Sequence, residues 1–433
     1  MRIRFLRLIV SAIALVVLTA MAPVASGQNY RLLYTFAGGT DGSSPNGNLV
    51  FDSAGNLYGT TNAGGNSVCG NLAQGCGVVF KLSPNADGAW TKTTLHTFIG
   101  NNGIRGYDGS FPNGGLVFDQ AGNLYGTTSD GGYYGYGSVF ELSPSRQGWK
   151  ETILLSFNYF EYGAYPVAGL LIDKLGNLYG TAGGGGKEYG ACGGGCGTVF
   201  ELSPSSTGGW TPKILYRFLG APRDGSQPYG LATDSSGNLY GMTLFGGPGF
   251  CPSGCGVVFE VSRTSSGGWT ERVLHNFGAG DGWNPSTAVT SDGGGGFYGP
   301  TELGGTARNG TVFHLVPEQN ASWGENILHN FLGANHEDPA PGGNVVLDAA
   351  GNLYGTAPGW DSGVTNGDLY ELSPNEDGSW SESILYAFTG HADGAVPWGG
   401  LTWDVQGNLY GAAGGGGDNL GYFGDGVIFE LTP

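Results

Sequence analysis

The sequence predicts an all-β, seven-bladed β-propeller with four antiparallel strands per blade, and three observations carry that expectation. The run GNLYGT, with variants, recurs seven times, its tyrosine falling at Tyr58, Tyr125, Tyr179, Tyr240, Tyr298, Tyr354 and Tyr410, about 59 residues apart. Each recurrence but the last brings the same four short apolar segments in the same order, the strand count of a propeller blade. The last unit lacks its fourth segment, and a matching orphan, YRLLYTF at Tyr30–Phe36, stands at the opposite end of the chain.

Each element follows from residue chemistry. In the second unit the segments are GGLVFD (Gly114–Asp119), NLYGTT (Asn123–Thr128), GSVFELSP (Gly137–Pro144) and WKETILLSF (Trp149–Phe157). All are of strand length, rich in β-branched and aromatic residues, and bounded by Gly, Pro, Asn or Asp. Between the first two segments runs D-x-x-G-N or a close variant, with Asp52, Asp119, Asp173, Asp234, Asp292, Asp348 and Asp404 each six residues before the unit's tyrosine. An Asp that accepts backbone N–H groups, beside a Gly that takes a positive φ, makes a tight hairpin turn, which explains these carboxylates better than seven cation sites. In NLYGT the Leu and Gly face one side and the Tyr and Thr the other. Leu and Tyr are therefore expected to fill the layers between blades, and Gly to leave room for a neighbour's ring. The seventh unit supplies GGLTWD, NLYGAA and GVIFELTP and then stops at Pro433. YRLLYTF is predicted to pair with Gly426–Leu431 as the outer strand of blade seven, sealing the ring and removing two exposed edges.

Residues 1–27 place Arg2, Arg4 and Arg7 before an apolar run from Leu8 to Ala22 and a small-residue stretch, the order of a secretory signal peptide. The run is shorter than the ~20 residues that span a bilayer, and no Cys follows it to take a lipid. Residues 28–433 are expected to form one propeller domain. Without the three leader arginines, 14 of the 17 Lys+Arg remain against 35 Asp+Glu, a formal charge of −21. Such a surface repels nucleic acid and anionic membrane, leaving cations, neutral polymers and basic proteins as partners. Glycine supplies 87 of 433 residues, which in a chain with 12% aromatics means many tight turns and close backbone approaches, not disorder.

Six cysteines form three local pairs, Cys69 with Cys76, Cys192 with Cys196 and Cys251 with Cys255. Each second member lies four residues before the Phe of VFKL, VFEL or VFEV. One structural slot, between strands two and three, thus holds all three, and disulfides are expected. C-x6-C and C-x3-C in different blades make poor zinc sites.

At the repeated GNLYGTT, GxVFELSP and LxxF elements the chain resembles the GloVer tandem-repeat proteins, a group of secreted or surface bacterial proteins with a variable anchor. More distantly, the G-x-L-x-x-D…G-N-L-Y order is similar to NHL-type and streptogramin-lyase-like propellers. The resemblance covers the whole mature chain and implies a secreted repeat scaffold, with no activity that transfers residue by residue. This copy ends without a C-terminal apolar helix or sorting tail, so it is expected to be released or held otherwise.

Function is expected on the face where the loops between strands two and three meet the loops between blades. The inter-blade loops carry D-G-x-x-P at Asp41, Asp108, Asp224, Asp281 and Asp393, a turn followed by a strand-starting proline. Phe111, Tyr165, Tyr229, Trp283 and Trp398 in these loops, and Trp360 in another, are the candidate ligand-binding residues. Rings beside Asp, Asn and Gly suit a sugar or a peptide. GANHEDPAP and TGHADG bring His336, Asp338, His391 and Asp393 to adjacent loops, a candidate site for a divalent cation, although no cofactor is required. His96, His275 and His329 share one strand position that elsewhere holds Tyr or Leu and are expected to be packed or edge residues.

No G-x-S-x-G, H-E-x-x-H, phosphate loop or paired-Cys redox motif is present. The sequence leans to a non-catalytic, monomeric binding module for an extracellular polysaccharide or protein, with no membrane span after leader cleavage. Two alternatives stay open: an extracellular lyase or hydrolase with a metal-assisted site at the channel mouth, and a structural envelope protein.

Overall fold

Seven antiparallel blades follow one another in chain order, each built by the same four segments, and a short two-stranded ribbon pairs Gly109–Ser110 with Asp130–Gly131. The computed structural model describes residues 29–65, 69, 74–100, 108–187, 192–249, 251–333, 340–359, 366–417 and 424–433. The expected leader lies outside them. In blade two the strands are Val117–Phe118, Leu124–Thr128, Ser138–Ser145 and Gly148–Ser156, paired from inner to outer in that order. Among the described residues there is no α-helix, only two short 3-10 turns at Gly39–Asp41 and Gln319–Ala321.

The ring closes as the repeat predicts. Asn29–Thr35 lies antiparallel to Val427–Thr432, with Tyr30 opposite Leu431 and Thr35 opposite Val427, as the outer strand of blade seven.

Two motifs explain how neighbouring blades hold each other. The Phe that ends each outer strand meets, edge to face, the buried aromatic in the third strand of the next blade. The pairs are Phe36–Phe80, Phe98–Phe140, Phe157–Phe200, Phe218–Phe259, Phe277–Phe313, Phe331–Tyr370 and Phe388–Phe429, with centroids 5.0–5.5 Å apart. Such pairs add about 0.5–1.5 kcal/mol each beyond the area they bury. The glycine of NLYGT serves this layer, but the ring it admits comes from its own blade: a Cβ on Gly126 would lie 2.6 Å from Phe140 Cζ.

The inter-blade loop supplies the second contact. Seven non-glycine residues, Ser44, Phe111, Tyr165, Gln227, Asn284, Ala340 and Val396, hold φ between 53° and 65°, and each precedes a proline. That conformation is costly for an L-residue and disfavoured before proline. Each is held by an amide N–H donated to a carbonyl of the preceding blade, as Phe111 donates to Cys76 and Tyr165 to Tyr136. The proline then covers the glycine that opens the preceding blade's third strand; a Cβ on Gly137 (φ +97°) would lie 2.6 Å from Pro166 Cδ. Seven identical exceptions in a ring mark this as architecture.

The D-x-x-G-N turns close locally. Asp119 Oδ1 accepts the N–H groups of Ala121 and Asn123, while Oδ2 accepts the Asn123 amide and the Tyr125 hydroxyl at 3.0 Å. These bonds hold the carboxyl below its usual range against the opposing effect of burial. In blade five His314 takes the tyrosine's part, 2.9 Å from Asp292 and stacked on Tyr298.

Candidate functional site

The residues that follow the seven latch prolines line a channel of about 680 Å³. They are Asn46, Asn113, Val167, Tyr229, Ser286, Gly342 and Trp398, one from each blade boundary. The next position is small in every blade (Gly47, Gly114, Ala168, Gly230, Thr287, Gly343 and Gly399), which lets the backbones approach around the axis. A Cβ on Gly47 would lie 2.7 Å from the Gly114 carbonyl oxygen. Below them the Thr127 and Thr181 hydroxyls donate to the carbonyls of Ala168 and Tyr229, both at 2.8 Å, fixing the lining strand of the next blade.

One carboxyl enters this lining. Glu302 lies four residues after Tyr298, where the other blades carry Asn62, Ser129, Gly183, Leu244, Pro358 and Gly414. Burial pushes its carboxyl above the usual range, and the Ser286 hydroxyl partly offsets that rise. The same burial, with Glu302 nearby, pushes the Tyr229 phenol up to about 12. Tyr229 is therefore a neutral hydroxyl at ordinary pH, and Glu302 holds its proton to higher pH than an exposed carboxyl does. Amides add further donors and acceptors. Asn62 donates to the Asn113 side chain at 2.6 Å, and the buried Oδ1 of Asn46 has no hydrogen-bond partner.

Of the sequence-predicted ligand residues, the structure brings Tyr229 and Trp398 into this channel. Trp283 packs instead against the cluster that holds Met242, Cys251, Cys255 and Phe277 and is not among the lining residues. Phe111 packs beside Cys69, Cys76 and Phe98 as a latch residue. Tyr165, also a latch residue, is 40% exposed and lies edge-on to Tyr136, whose ring also meets Tyr159 and through it the exposed Phe160. Trp360 lies outside the described residues.

Of the expected metal ligands, His336 and Asp338 lie outside the described residues. His391 is exposed, whereas Asp393 accepts from Tyr386, the Thr389 hydroxyl and the Thr389 amide, so its carboxylate serves its own loop. The three disulfides are formed, Cys69–Cys76, Cys192–Cys196 and Cys251–Cys255. Each second cysteine also accepts a latch bond, through its carbonyl, from Phe111, Gln227 or Asn284.

Sequence reasoning missed Glu302, Asn46, Asn113 and Ser286. A register argument could have found them, since all follow a latch proline or a repeated tyrosine at a fixed distance, and Glu302 is the one charged residue in its column. His96, His275 and His329 do pack, each edge-on to the Phe two residues later. They also face carboxylates of the next blade, Glu151, Glu325 and Glu382.

The model of the Gloeobacter/Verrucomicrobia repeat matches residues 18–192 and again 189–429. No curated protein matches the chain. Among solved structures, the extracellular domain of a protein described as a one component system from B. thetaiotaomicron is similar at 12% identity and TM-score 0.53, over 93% of this chain and 40% of that one. A protein described as a 6-phosphogluconolactonase from Bacteroides uniformis is similar at 15% identity and TM-score 0.49, over 77% and 84%. The NanB sialidase of Streptococcus pneumoniae follows at 12% identity and TM-score 0.44, over 93% and 70%. At these identities the likeness is one of fold alone.

Proposed function

The chain belongs to the Gloeobacter/Verrucomicrobia repeat family, and from that premise we propose that it is a secreted β-propeller that binds the end of an extracellular glycan in its central channel. The convergence of Tyr229 and Trp398 with Asn46, Asn113, Ser286 and Glu302 on one cavity carries this reading. At about 680 Å³ the cavity lies within the range of small-molecule sites. Flat rings stack on a sugar's C–H face, while amides, hydroxyls and a carboxyl exchange hydrogen bonds with its hydroxyls. The exposed rings of Tyr133, Tyr134, Phe160 and Tyr165 offer a longer chain further stacking.

Three disulfides and the leader-like N-terminus support an oxidising destination. Among the described residues lining the channel, Glu302 is the only carboxylate, so the paired carboxylates of ordinary glycoside hydrolysis are not assembled there. That favours binding over turnover. Retention on insoluble polysaccharides, followed by calorimetry with soluble fragments, tests the reading. Trp398→Ala and Glu302→Ala should each abolish retention, and retention that survives both would exclude the channel as the site.

A further inference from the structure

At five of the seven blade boundaries a residue of one outer strand, an Asp of the inter-blade loop and a residue of the next outer strand hold equivalent places in the sequence. Where blade seven meets blade one they are Tyr34, Asp41 and Lys92. The Lys92 ammonium is buried to 4% exposure and bonds the Asp41 carboxylate at 2.8 Å, with the Tyr34 hydroxyl on the same carboxylate. This boundary carries its own cation.

Between blades four and five the same places hold His275, Asp281 and Glu325. His275 Nε2 lies 3.3 Å from Asp281 Oδ2 and 3.4 Å from Glu325 Oε2, and the three donor atoms all fall within 4.8 Å of one another. Nε2 is buried yet satisfies hydrogen-bond geometry with neither oxygen. The Glu325 side chain is only 8% exposed, its Oε2 faces the imidazole, and its other oxygen, Oε1, is buried with no hydrogen-bond partner. Two carboxylates and an imidazole have replaced the set that elsewhere includes a lysine.

We propose that His275, Asp281 and Glu325 bind a divalent ion of the zinc type across the boundary between blades four and five, and that His96, Asp108 and Glu151 repeat the site between blades one and two. The donor set is a mixed imidazole and carboxylate one, suited to zinc. Tetrahedral zinc with bonds of about 2.0–2.1 Å sets its ligands about 3.3–3.4 Å apart, the spacing seen from His275 to both carboxylates. The second group is similar: His96 Nε2 is 3.3 Å from Asp108 and 3.7 Å from Glu151, whose Oε1 is also buried without a partner. Each ion would join an outer strand, a loop and the following outer strand, the three pieces that the Lys92 pair joins at the seam. The boundary between blades three and four is an internal control. Tyr216 stands there for the histidine, beside Asp224 and Glu271, and its hydroxyl donates to Asp224 at 2.9 Å.

The full chain, stripped by chelator and dialysed against zinc chloride, is assayed for retained zinc by elemental mass spectrometry. His275→Asn should lose one equivalent per chain relative to wild type, His96→Asn another, and Glu325→Gln should weaken the first site at least tenfold by calorimetry. Tyr216→His, which completes a third set beside Asp224 and Glu271, should add one equivalent, and this gain decides the matter if a loss variant fails to fold. A wild-type chain that retains no zinc would overturn the proposal. So would retention unchanged by His275→Asn and Tyr216→His, which would leave these groups as imidazole–carboxylate ion pairs only.

Discussion

Tyr30 stacks on Tyr386 with ring centroids 4.0 Å apart and planes 11° from parallel, and its hydroxyl donates to the Asp393 carbonyl. The strand that completes blade seven therefore also covers blade six. Tyr30→Ala should lower unfolding stability by about 3 kcal/mol, at the lower end of large aromatic truncations. Deletion of Tyr30–Phe36 should give an expanded, aggregation-prone chain by light scattering, because it bares the edge of Val427–Thr432.

The latch makes opposite demands on its two sides. Gly137→Ala should cost on the order of 2–4 kcal/mol, since the new methyl meets Pro166 and its backbone sits at positive φ. Tyr165→Gly relieves strain at φ +57° and should change stability by less than about 1 kcal/mol. Urea denaturation of the two variants distinguishes them.

The disulfides span four or seven residues in sequence. Loop entropy for so short a closure is only about 2 kcal/mol, so Cys251→Ser with Cys255→Ser should remain folded. Its melting midpoint should fall modestly, and hydrogen exchange should quicken first at the Asn284 amide, which bonds to the Cys255 carbonyl.

Burial, with Asp224 close by, raises the Glu271 carboxyl to about 8, the Tyr216 hydroxyl partly offsetting the rise. An unfolded Glu titrates near about 4.3. Between those values the folded chain holds a proton that the unfolded chain has lost, so this group's contribution to stability is greatest at low pH and falls as pH rises toward 8. Glu271→Gln should flatten that decline and leave the variant more stable than wild type above pH 8. Thermal midpoints from pH 5 to 9 measure it.

In the channel, Glu302→Gln keeps a neutral hydrogen-bonding group where Glu302→Ala removes it. Glycan retention should persist in the first and vanish in the second. In wild type, retention should decline as rising pH ionises Glu302, whose carboxyl burial holds above the usual range, while the Gln variant should bind independently of pH. Affinity electrophoresis across the pH series reads both.

The fold was legible because each blade repeats its punctuation. Asp119, Gly122 and Tyr125 announce one hairpin, and their equivalents return at every unit. The orphan Tyr30–Phe36 was readable for the same reason, by subtraction. The channel was less so. Tyr229 and Trp398 stood out as aromatics, but Trp283, one position before its own latch residue Asn284, turns into the core. A shift of one place relative to the proline decides which face a side chain meets, and residue type does not reveal that shift. Glu302 and His275 escaped for a further reason: Tyr229 and Glu325, which they meet, come from neighbouring units, so only the stacking of blades brings these groups together.

The latch also separates the repeat as the sequence spells it from the piece that holds itself together. Cutting at an inter-blade loop would divide Tyr165 from the carbonyl of Tyr136 and Pro166 from Gly137. The D-x-x-G-N turn meets its own needs within six residues, as Asp119 does with Ala121, Asn123 and Tyr125. Chimaeras spliced at those turns would carry each boundary intact from parent to offspring, so a lineage could exchange channel linings without relearning how to close the circle.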